Sequence, residues 1–221
     1  MRTYRNNTDD SRTDGDMVRQ YDPTSHGDVK NYPAEQIPSE LISEGIKFKL
    51  GSTVLLQKNA VTCSGQAIKL PAGNYNRIYL LAAATEETSG IFNINGKKVE
   101  IPVAKWFGFT GQHYVRQFEL DGHTVRNVKE PFVKTDNIAW FASHYHFGYP
   151  TQNVPYTYSY MFKYDIDIPE NTGEITLPQN DKIKIFAITV ARNTADEIRL
   201  LQPLADDFKE NGPFVLRNTG N

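Results

Sequence analysis

Hydrophobic and polar residues alternate along much of this chain after its first 32 residues, with the period of two that β-strands require. Ile46, Phe48 and Leu50 alternate with two lysines, which predicts a half-buried strand. Residues 77–84 (RIYLLAAA) form a continuous apolar run, which suits a strand that is covered on both faces. Further strands are predicted at residues 137–146, 156–168, 174–177 and 182–191.

Two dipeptides that end in glycine predict hairpin turns. Asn95-Gly96 separates residues 91–94 from residues 97–101, and Asn-Gly tolerates the positive φ angles of a type I′ turn. Asp121-Gly122 lies in the same way between residues 114–120 and residues 123–128. Eight to ten strands separated by turn signals predict an all-β fold, a β-sandwich of jelly-roll or galactose-binding-like type.

The same patterns divide the chain into three segments. Residues 1–32 are polar and show neither helical nor strand periodicity, so we expect an irregular N-terminal arm. Residues 33–193 form the predicted β-sandwich domain. Residues 194–221 are expected to be a C-terminal linker or a short helix followed by a tail, because residues 194–204 carry apolar side chains at three-residue or four-residue spacing.

The composition mainly excludes certain partners and certain kinds of site. The net charge of −2 argues against a nucleic-acid partner, which would require a basic excess. No apolar stretch approaches the ~20 residues of a membrane-spanning helix, so no membrane association is expected. The single cysteine, Cys63, excludes an intrachain disulfide and a cysteine-rich zinc site, and we expect it to be an inert, packed thiol.

Several segments, taken in order, resemble one protein family. They are residues 10–17 (DSRTDGDM), 32–38 (YPAEQIP), 45–51 (GIKFKLG), 57–84 (QKNAVTCSGQAIKLPAGNYNRIYLLAAA), 106–112 (WFGFTGQ), 136–146 (DNIAWFASHYH) and 158–191, which end in NDKIKIFAITVA. These segments are similar to the C-terminal β-sandwich region of bacterial family 38 glycoside hydrolases, the α-mannosidase-like enzymes. The resemblance implies a piece of a glycosidase, because the family's zinc-dependent catalytic domain and its motifs have no counterpart here.

The resemblance therefore predicts a non-catalytic accessory domain that supports a glycosidase catalytic domain and helps to frame its substrate cleft. The implied partner is that catalytic domain, and zinc is expected only there. The implied compartment is periplasmic or extracellular if the parent enzyme is exported. An alternative is an autonomous carbohydrate-binding module for mannose-type glycans. A hydrolase that acts alone through paired carboxylates, such as Asp165 and Asp167, is a third hypothesis, against the simpler interpretation of a solvated strand face.

Sugar binding requires flat apolar surfaces for the pyranose ring and directional polar groups for its hydroxyls. The candidate carbohydrate-binding residues combine both kinds of side chain: Trp106, Phe109, Gln112, His113, Trp140, His144 and His146. Large aromatic residues also build cores, and Trp140 lies in a long apolar strand where a core role is the simpler interpretation.

Two sets of residues are candidates for metal binding. His144 and His146 are two apart on a predicted strand, so their imidazoles share a face and could ligate a metal if a third ligand came from a neighbouring strand. The alternatives are hydrogen bonding inside the sandwich and contact with a sugar or another domain. The acidic residues of the N-terminal arm, candidates for calcium or for a salt-bridged arm, are Asp9, Asp10, Asp14 and Asp16.

Overall fold

The computed structural model describes residues 3–5, 20–21, 29–53, 58–112, 118–120, 123–125, 132–147 and 152–193. Within these ranges the regular elements are β-strands and one 3-10 helix, η1 (Ala34–Gln36). The first ten strands are β1 (Thr3–Arg5), β2 (Gln20–Tyr21), β3 (Val29–Asn31), β4 (Glu40–Ser43), β5 (Ile46–Lys49), β6 (Lys58–Thr62), β7 (Ala67–Lys69), β8 (Arg77–Ala84), β9 (Thr88–Ile94) and β10 (Lys97–Val103). The later strands are β11 (Gly111–Gln112), β12 (Phe118–Leu120), β13 (His123–Val125), β14 (Phe132–Val133), β15 (Ile138–Phe147), β16 (Gln152–Asp167), β17 (Glu174–Thr176) and β18 (Ile183–Ala191).

Two antiparallel sheets build the main body of the fold. The larger sheet has the strand order β1-β6-β18-β8-β16-β15-β3-β2, and the smaller has the order β10-β9-β17-β7. A buried cluster that draws on both sheets fills the space between them. The prediction of an all-β sandwich is confirmed.

Strand β8 shows how the sequence pattern becomes a core. Ile78 and Leu80 point into the cluster between the sheets, whereas Tyr79 and Leu81 point to a second cluster on the opposite face of the larger sheet. All four side chains are buried, as the unbroken apolar run predicts. Burying an aliphatic side chain of this size contributes about 1.5–3 kcal/mol, so β8 anchors both halves of the core.

The second core cluster is covered by a hairpin and by loops. The β4–β5 hairpin places Phe48 in it, while Lys47 and Lys49 face solvent, which confirms the predicted half-buried strand. Trp106 is fully buried in the same cluster. Its backbone N–H donates to Ala84 O at 2.9 Å, and its carbonyl oxygen accepts from Tyr160 N at 2.6 Å.

The predicted hairpins are present. Strands β9 and β10 pair around Asn95-Gly96, which have φ angles of 52° and 85°, the two positive values that a type I′ turn needs. Strands β12 and β13 pair so that Leu120 faces His123, while Asp121-Gly122 lies outside the described residues. The helical pattern predicted at residues 194–204 also lies outside them.

Part of the N-terminal arm contributes strands. Strand β1 pairs with β6 at one edge of the larger sheet, and strands β2 and β3 extend the other edge beyond β15. Sequence periodicity gave no sign of these strands, because each has only two or three residues, too few to display alternation.

The chain divides into two compact units. The first comprises Met1–Gly108 and Asp136–Glu197, and the second comprises Phe109–Thr135 and Ile198–Asn221. The two-sheet body belongs to the first unit, and the described part of the second contains the short pairs β11–β14 and β12–β13. In the described ranges no helix has the length and apolarity needed to cross a bilayer.

Candidate metal centre

Two histidines on one strand face form the centre of the candidate site. His144 and His146 lie near the end of β15, and both are buried. Their ring centroids are 5.2 Å apart, and their Nε2 atoms are 3.3 Å apart. The two-residue spacing predicted this shared face, and the structure confirms it.

A break in strand pairing lies beside the histidines. Ala142 faces Ser159 on β16, but His144 faces Pro155, so β16 carries extra residues at this point. The Ser159 hydroxyl donates to the His144 carbonyl oxygen at 2.9 Å. Such β-bulges change the direction in which side chains point, and they are frequent next to functional sites.

The third member of the cluster, Glu35, arrives from a distant part of the sequence. Strand β3 pairs antiparallel with β15 so that Lys30 faces Phe147 and Asn31 faces His146, and the chain then continues toward η1. Tyr32 fixes this turn, because its ring is fully buried and its hydroxyl donates to the Tyr160 carbonyl oxygen. Its ring lies edge-on to Trp106, with 4.7 Å between the ring centroids.

The 3-10 helix η1 then directs Glu35 toward the histidines. The Gln36 N–H donates to Pro33 O at 3.0 Å, and the Ile37 N–H donates to Ala34 O at 3.1 Å. Ala34 and Ile37 are buried, and the three-residue turn of a 3-10 helix keeps two such positions on one side. Glu35 and Gln36 are consequently left on the side that meets His144.

The three donor atoms form a nearly equilateral triangle. Glu35 Oε1 lies 3.2 Å from His144 Nε2 and 3.4 Å from His146 Nε2, and the third edge, between the two Nε2 atoms, is 3.3 Å. An ion bound tetrahedrally holds three donors about 3.4 Å apart, and an octahedral ion holds them about 3.0 Å apart, if each donor is about 2.1 Å from the ion. The observed edges fall between these values.

With Glu35 ionised, hydrogen bonds cannot satisfy all three edges of this triangle. An ionised Glu35 only accepts, so both of its contacts are favourable only if both imidazoles carry a proton on Nε2. The two Nε2 atoms would then present N–H groups to each other at 3.3 Å. A cation at the centre of the triangle would be coordinated by a lone pair from each of the three atoms, so the two Nε2 atoms would not need to point N–H groups at each other.

The second ring nitrogen of His144, Nδ1, also has polar side chains next to it. Ser143 Oγ lies 3.1 Å from His144 Nδ1, and Gln36 Nε2, an amide donor, lies 3.4 Å from the same atom. A metal-bound histidine commonly donates its other ring N–H to an oxygen acceptor, which fixes the tautomer and the orientation of the ring. The Ser143 hydroxyl can therefore accept the Nδ1 proton while Nε2 binds an ion.

The donor set indicates which ions fit. Two imidazole nitrogens and one carboxylate oxygen suit Zn²⁺, Fe²⁺, Co²⁺ and similar transition metals, whereas Ca²⁺ and Mg²⁺ prefer oxygen ligands throughout. Among the residues that the structure describes, these three side chains are the group of histidine and acidic residues with metal-binding spacing. The sequence offered His144 and His146 as metal ligands that lacked a third partner, and the structure adds Glu35.

The two tryptophans among the predicted sugar-binding residues lie away from the solvent to different degrees. Trp106 has no exposed surface, because its indole packs between Tyr32 and Tyr145, and its ring is not available to stack on a sugar. Trp140 is half-buried, and its ring centroid lies 5.9 Å from that of Tyr32. Trp106 therefore has a packing role, which corrects its prediction as a sugar-binding platform, whereas a sugar contact at Trp140 stays a prediction.

The remaining candidates belong to the second unit or lie outside the described residues. Phe109 is exposed in the second unit, and Gln112 lies in β11 opposite Phe132. His113 and the calcium candidates lie outside the described residues; the latter are Asp9, Asp10, Asp14 and Asp16.

An exposed aromatic pair lies on β15 and β16. Phe141 on β15 and Tyr158 on β16 are 58% and 38% exposed, and their ring centroids are 6.3 Å apart. Tyr160 lies behind Tyr158, and its hydroxyl donates to Gly108 O at 2.6 Å. Burial raises the pKa of Tyr160 to about 12, with a further contribution from Tyr158, so this hydroxyl stays a donor at physiological pH.

Two other groups have structural roles. Asp165 and Asp167 are exposed, and both pair with Arg77, so they are a solvated face and not a catalytic pair. Burial opposes the Arg77 charge, but the hydrogen bond that Arg77 donates to Asp167 and the charges of both aspartates raise the pKa of Arg77 overall. Burial raises the pKa of the Cys63 thiol to about 12, which confirms an inert thiol.

Glu35 was not a predicted ligand, because no motif or periodicity in the neighbouring sequence distinguishes it. It is a single glutamate in the segment at residues 32–38 (YPAEQIP), which contributed only to the family resemblance. Its role depends on the pairing of β3 with β15, and the short β3 could not be assigned from periodicity.

Comparison with known proteins gives a family and no further relationship. No curated protein matches the sequence. Nothing in the comparisons links the chain to family 38 glycoside hydrolases, so that resemblance stays a prediction. The model of the family described as the AziU2-like beta-sandwich domain matches residues 8–194, which include every strand of the two sheets except β1, and also Glu35, His144 and His146. The chain therefore belongs to the AziU2-like β-sandwich domain family.

Proposed function

We propose that this β-sandwich binds a divalent transition-metal ion through Glu35, His144 and His146. The observation that carries the proposal is the triangle of donor atoms, with edges of 3.2, 3.3 and 3.4 Å. Rigid elements hold it: two ligands lie on a paired strand, and the third lies on a 3-10 turn anchored by the buried Tyr32. Ligands positioned in this way before binding lower the cost of ordering the site.

The burial of the two imidazoles supports the same conclusion. A buried polar group is costly unless it has partners, and here the partners of the Nε2 atoms are each other and one carboxylate. A divalent ion resolves the hydrogen-bonding conflict and offsets the negative charge of Glu35. Strand β3, η1 and β15 then become a single cross-linked edge of the sandwich.

The direct test is a Zn²⁺ titration of the complete chain, freed of metal with a chelator, by calorimetry. We expect one Zn²⁺ per chain. Glu35→Gln preserves shape but removes the anionic ligand, and it should weaken binding by more than ~100-fold, since changes in outer-shell partners alone cost 10–100-fold. His144→Ala and His146→Ala should weaken it similarly, with circular dichroism showing that each variant is folded.

Glu170→Gln is the matched control, because it removes the same charge from an exposed glutamate in the turn before β17. It should bind Zn²⁺ like the unaltered protein. If Glu35→Gln and Glu170→Gln bind equally well, the ion is held elsewhere and the proposed site is wrong.

Carbohydrate recognition is a second candidate function, and the exposed Phe141–Tyr158 pair favours it. Two neighbouring rings on adjacent strands offer an apolar surface of the kind that the C–H face of a pyranose contacts. A glycosidase catalytic domain as the partner belongs to this second proposal. Titration with mannose and α-mannobiose, followed by NMR, should shift resonances of Phe141 and Tyr158, and Phe141→Ala should abolish the shifts. Unchanged spectra would remove this candidate.

A further inference from the structure

We infer that the metal ion of the proposed site keeps a coordination position for an external carboxylate-type ligand. This inference rests on the proposed function, because it concerns the same ion. Sites that use zinc only to hold a fold are closed by four protein ligands, whereas three protein ligands leave a position for water or substrate. The described residues supply three ligands, so the site belongs to the second type.

The exposure of the ligands shows where that position lies. The side chains of His144 and His146 are only 10% and 3% exposed, whereas the Glu35 side chain is 48% exposed. The imidazoles thus form the inner wall of the site, and the carboxylate forms its solvent-facing rim. An external ligand reaches the ion from the Glu35 side without displacing the core.

Two neighbouring polar side chains do not fill that position. Gln36 Nε2 lies 3.4 Å from His144 Nδ1, on the other edge of the ring from Nε2. Ser143 Oγ lies 3.1 Å from the same Nδ1 atom. Both groups contact Nδ1 and are not placed to ligate an ion held by Nε2.

The charge of the site selects the class of ligand. A divalent ion with one carboxylate and two neutral imidazoles retains a net charge of about +1, which favours an anionic oxygen ligand over a neutral one. A carboxylate neutralises this charge and provides the kind of oxygen donor that Zn²⁺ and Fe²⁺ accept. We therefore assign small carboxylates as the ligand class.

The test uses the complete chain loaded with Co²⁺, whose visible absorption reports its coordination. Addition of acetate should change the spectrum in a saturable way, and azide should compete for the same position. Acetamide has nearly the same shape as acetate but no charge, so it should leave the spectrum unchanged at equal concentration. Asn31 faces His146 across β3 and β15, which makes Asn31→Ala the check for a fourth protein ligand.

The outcomes separate the two proposals. A Co²⁺ complex of normal affinity whose spectrum responds to neither acetate nor azide would mean a closed site, and it would overturn this inference alone. A response to acetamide equal to that of acetate would overturn the assigned ligand class. A spectrum that responds to acetate only after Asn31→Ala would show that Asn31 fills the position and would also overturn the inference. Failure to bind Co²⁺ and Zn²⁺ would overturn both proposals.

Discussion

Glu35 Oε1 lies 3.2 Å from His144 Nε2, although 109 residues separate the two along the chain. The contact depends on the pairing of β3 with β15, which delivers η1 to the end of the strand that carries both histidines. The proposed binding site depends on the short strand β3 and the turn that follows it.

The first prediction concerns Ser143 as a positioning residue. Ser143→Ala removes the hydroxyl that can accept the His144 Nδ1 proton, so we expect Zn²⁺ affinity to fall by about 10-fold without a change in stoichiometry. Ser143→Thr should keep the affinity, because it keeps the hydroxyl. Competition against a chromophoric chelator measures both. Equal affinities for Ser143→Ala and the unaltered chain would show that Ser143 has no role in orienting the ring.

The second prediction is that the ion stabilises the fold. An ion that binds only the folded state at 100 times its Kd adds about 2.7 kcal/mol to the free energy of unfolding. For a chain of this size we expect Tm to rise by roughly 5–10 °C, as measured by thermal denaturation with and without Zn²⁺. Glu35→Gln should show little of this rise. A rise of equal size in that variant would indicate that Zn²⁺ acts at another place.

The third prediction tests the packing of β8, the strand whose two faces are both buried. Leu81 is fully buried in the cluster shared with Trp106 and Phe48, so Leu81→Ala should lower the free energy of unfolding by about 2–5 kcal/mol. Ile91→Ala is the control, because Ile91 lies on β9 with its side chain largely exposed, and the change should cost well under that amount. Urea denaturation measures both. Similar losses for the two variants would contradict the packing described for β8.

The fourth prediction concerns pH and the turn between β4 and β5. Hydrogen bonds from Lys163 and then Asn137 lower the pKa of Glu44, against a smaller opposing effect of burial. Because the folded-state pKa lies below the unfolded value, the stabilisation is complete above the unfolded pKa. It is lost as the pH falls through the folded pKa.

Glu44→Gln should therefore be less stable than the unaltered chain at pH 7, and the difference should vanish in acid. Urea denaturation at a series of pH values measures this difference. The same substitution in a Lys163→Gln background should show much less pH dependence, because the main partner of the carboxylate is gone. A pH dependence that survives in this background would assign the effect to other groups.

Local patterns were sufficient for several parts of the structure. The alternation at Phe48, the apolar run of β8 and the Asn95-Gly96 turn each depend on a few adjacent residues, and each is found as predicted. The shared face of His144 and His146 follows from the same period of two. These features are properties of a strand or a turn whatever its partners are, so the sequence alone determined them.

Tertiary structure decided the rest. Whether Trp106 stacks on a ligand or fills a core depends on what covers it, and Tyr32 and Tyr145 cover it from distant parts of the chain. Whether the two histidines are structural or ligating depends on Glu35, which reaches them only through the register of β3 on β15. Such long-range contacts leave no periodicity in the sequence, because strand pairing is fixed by the packing of the whole sheet and not by neighbouring residues.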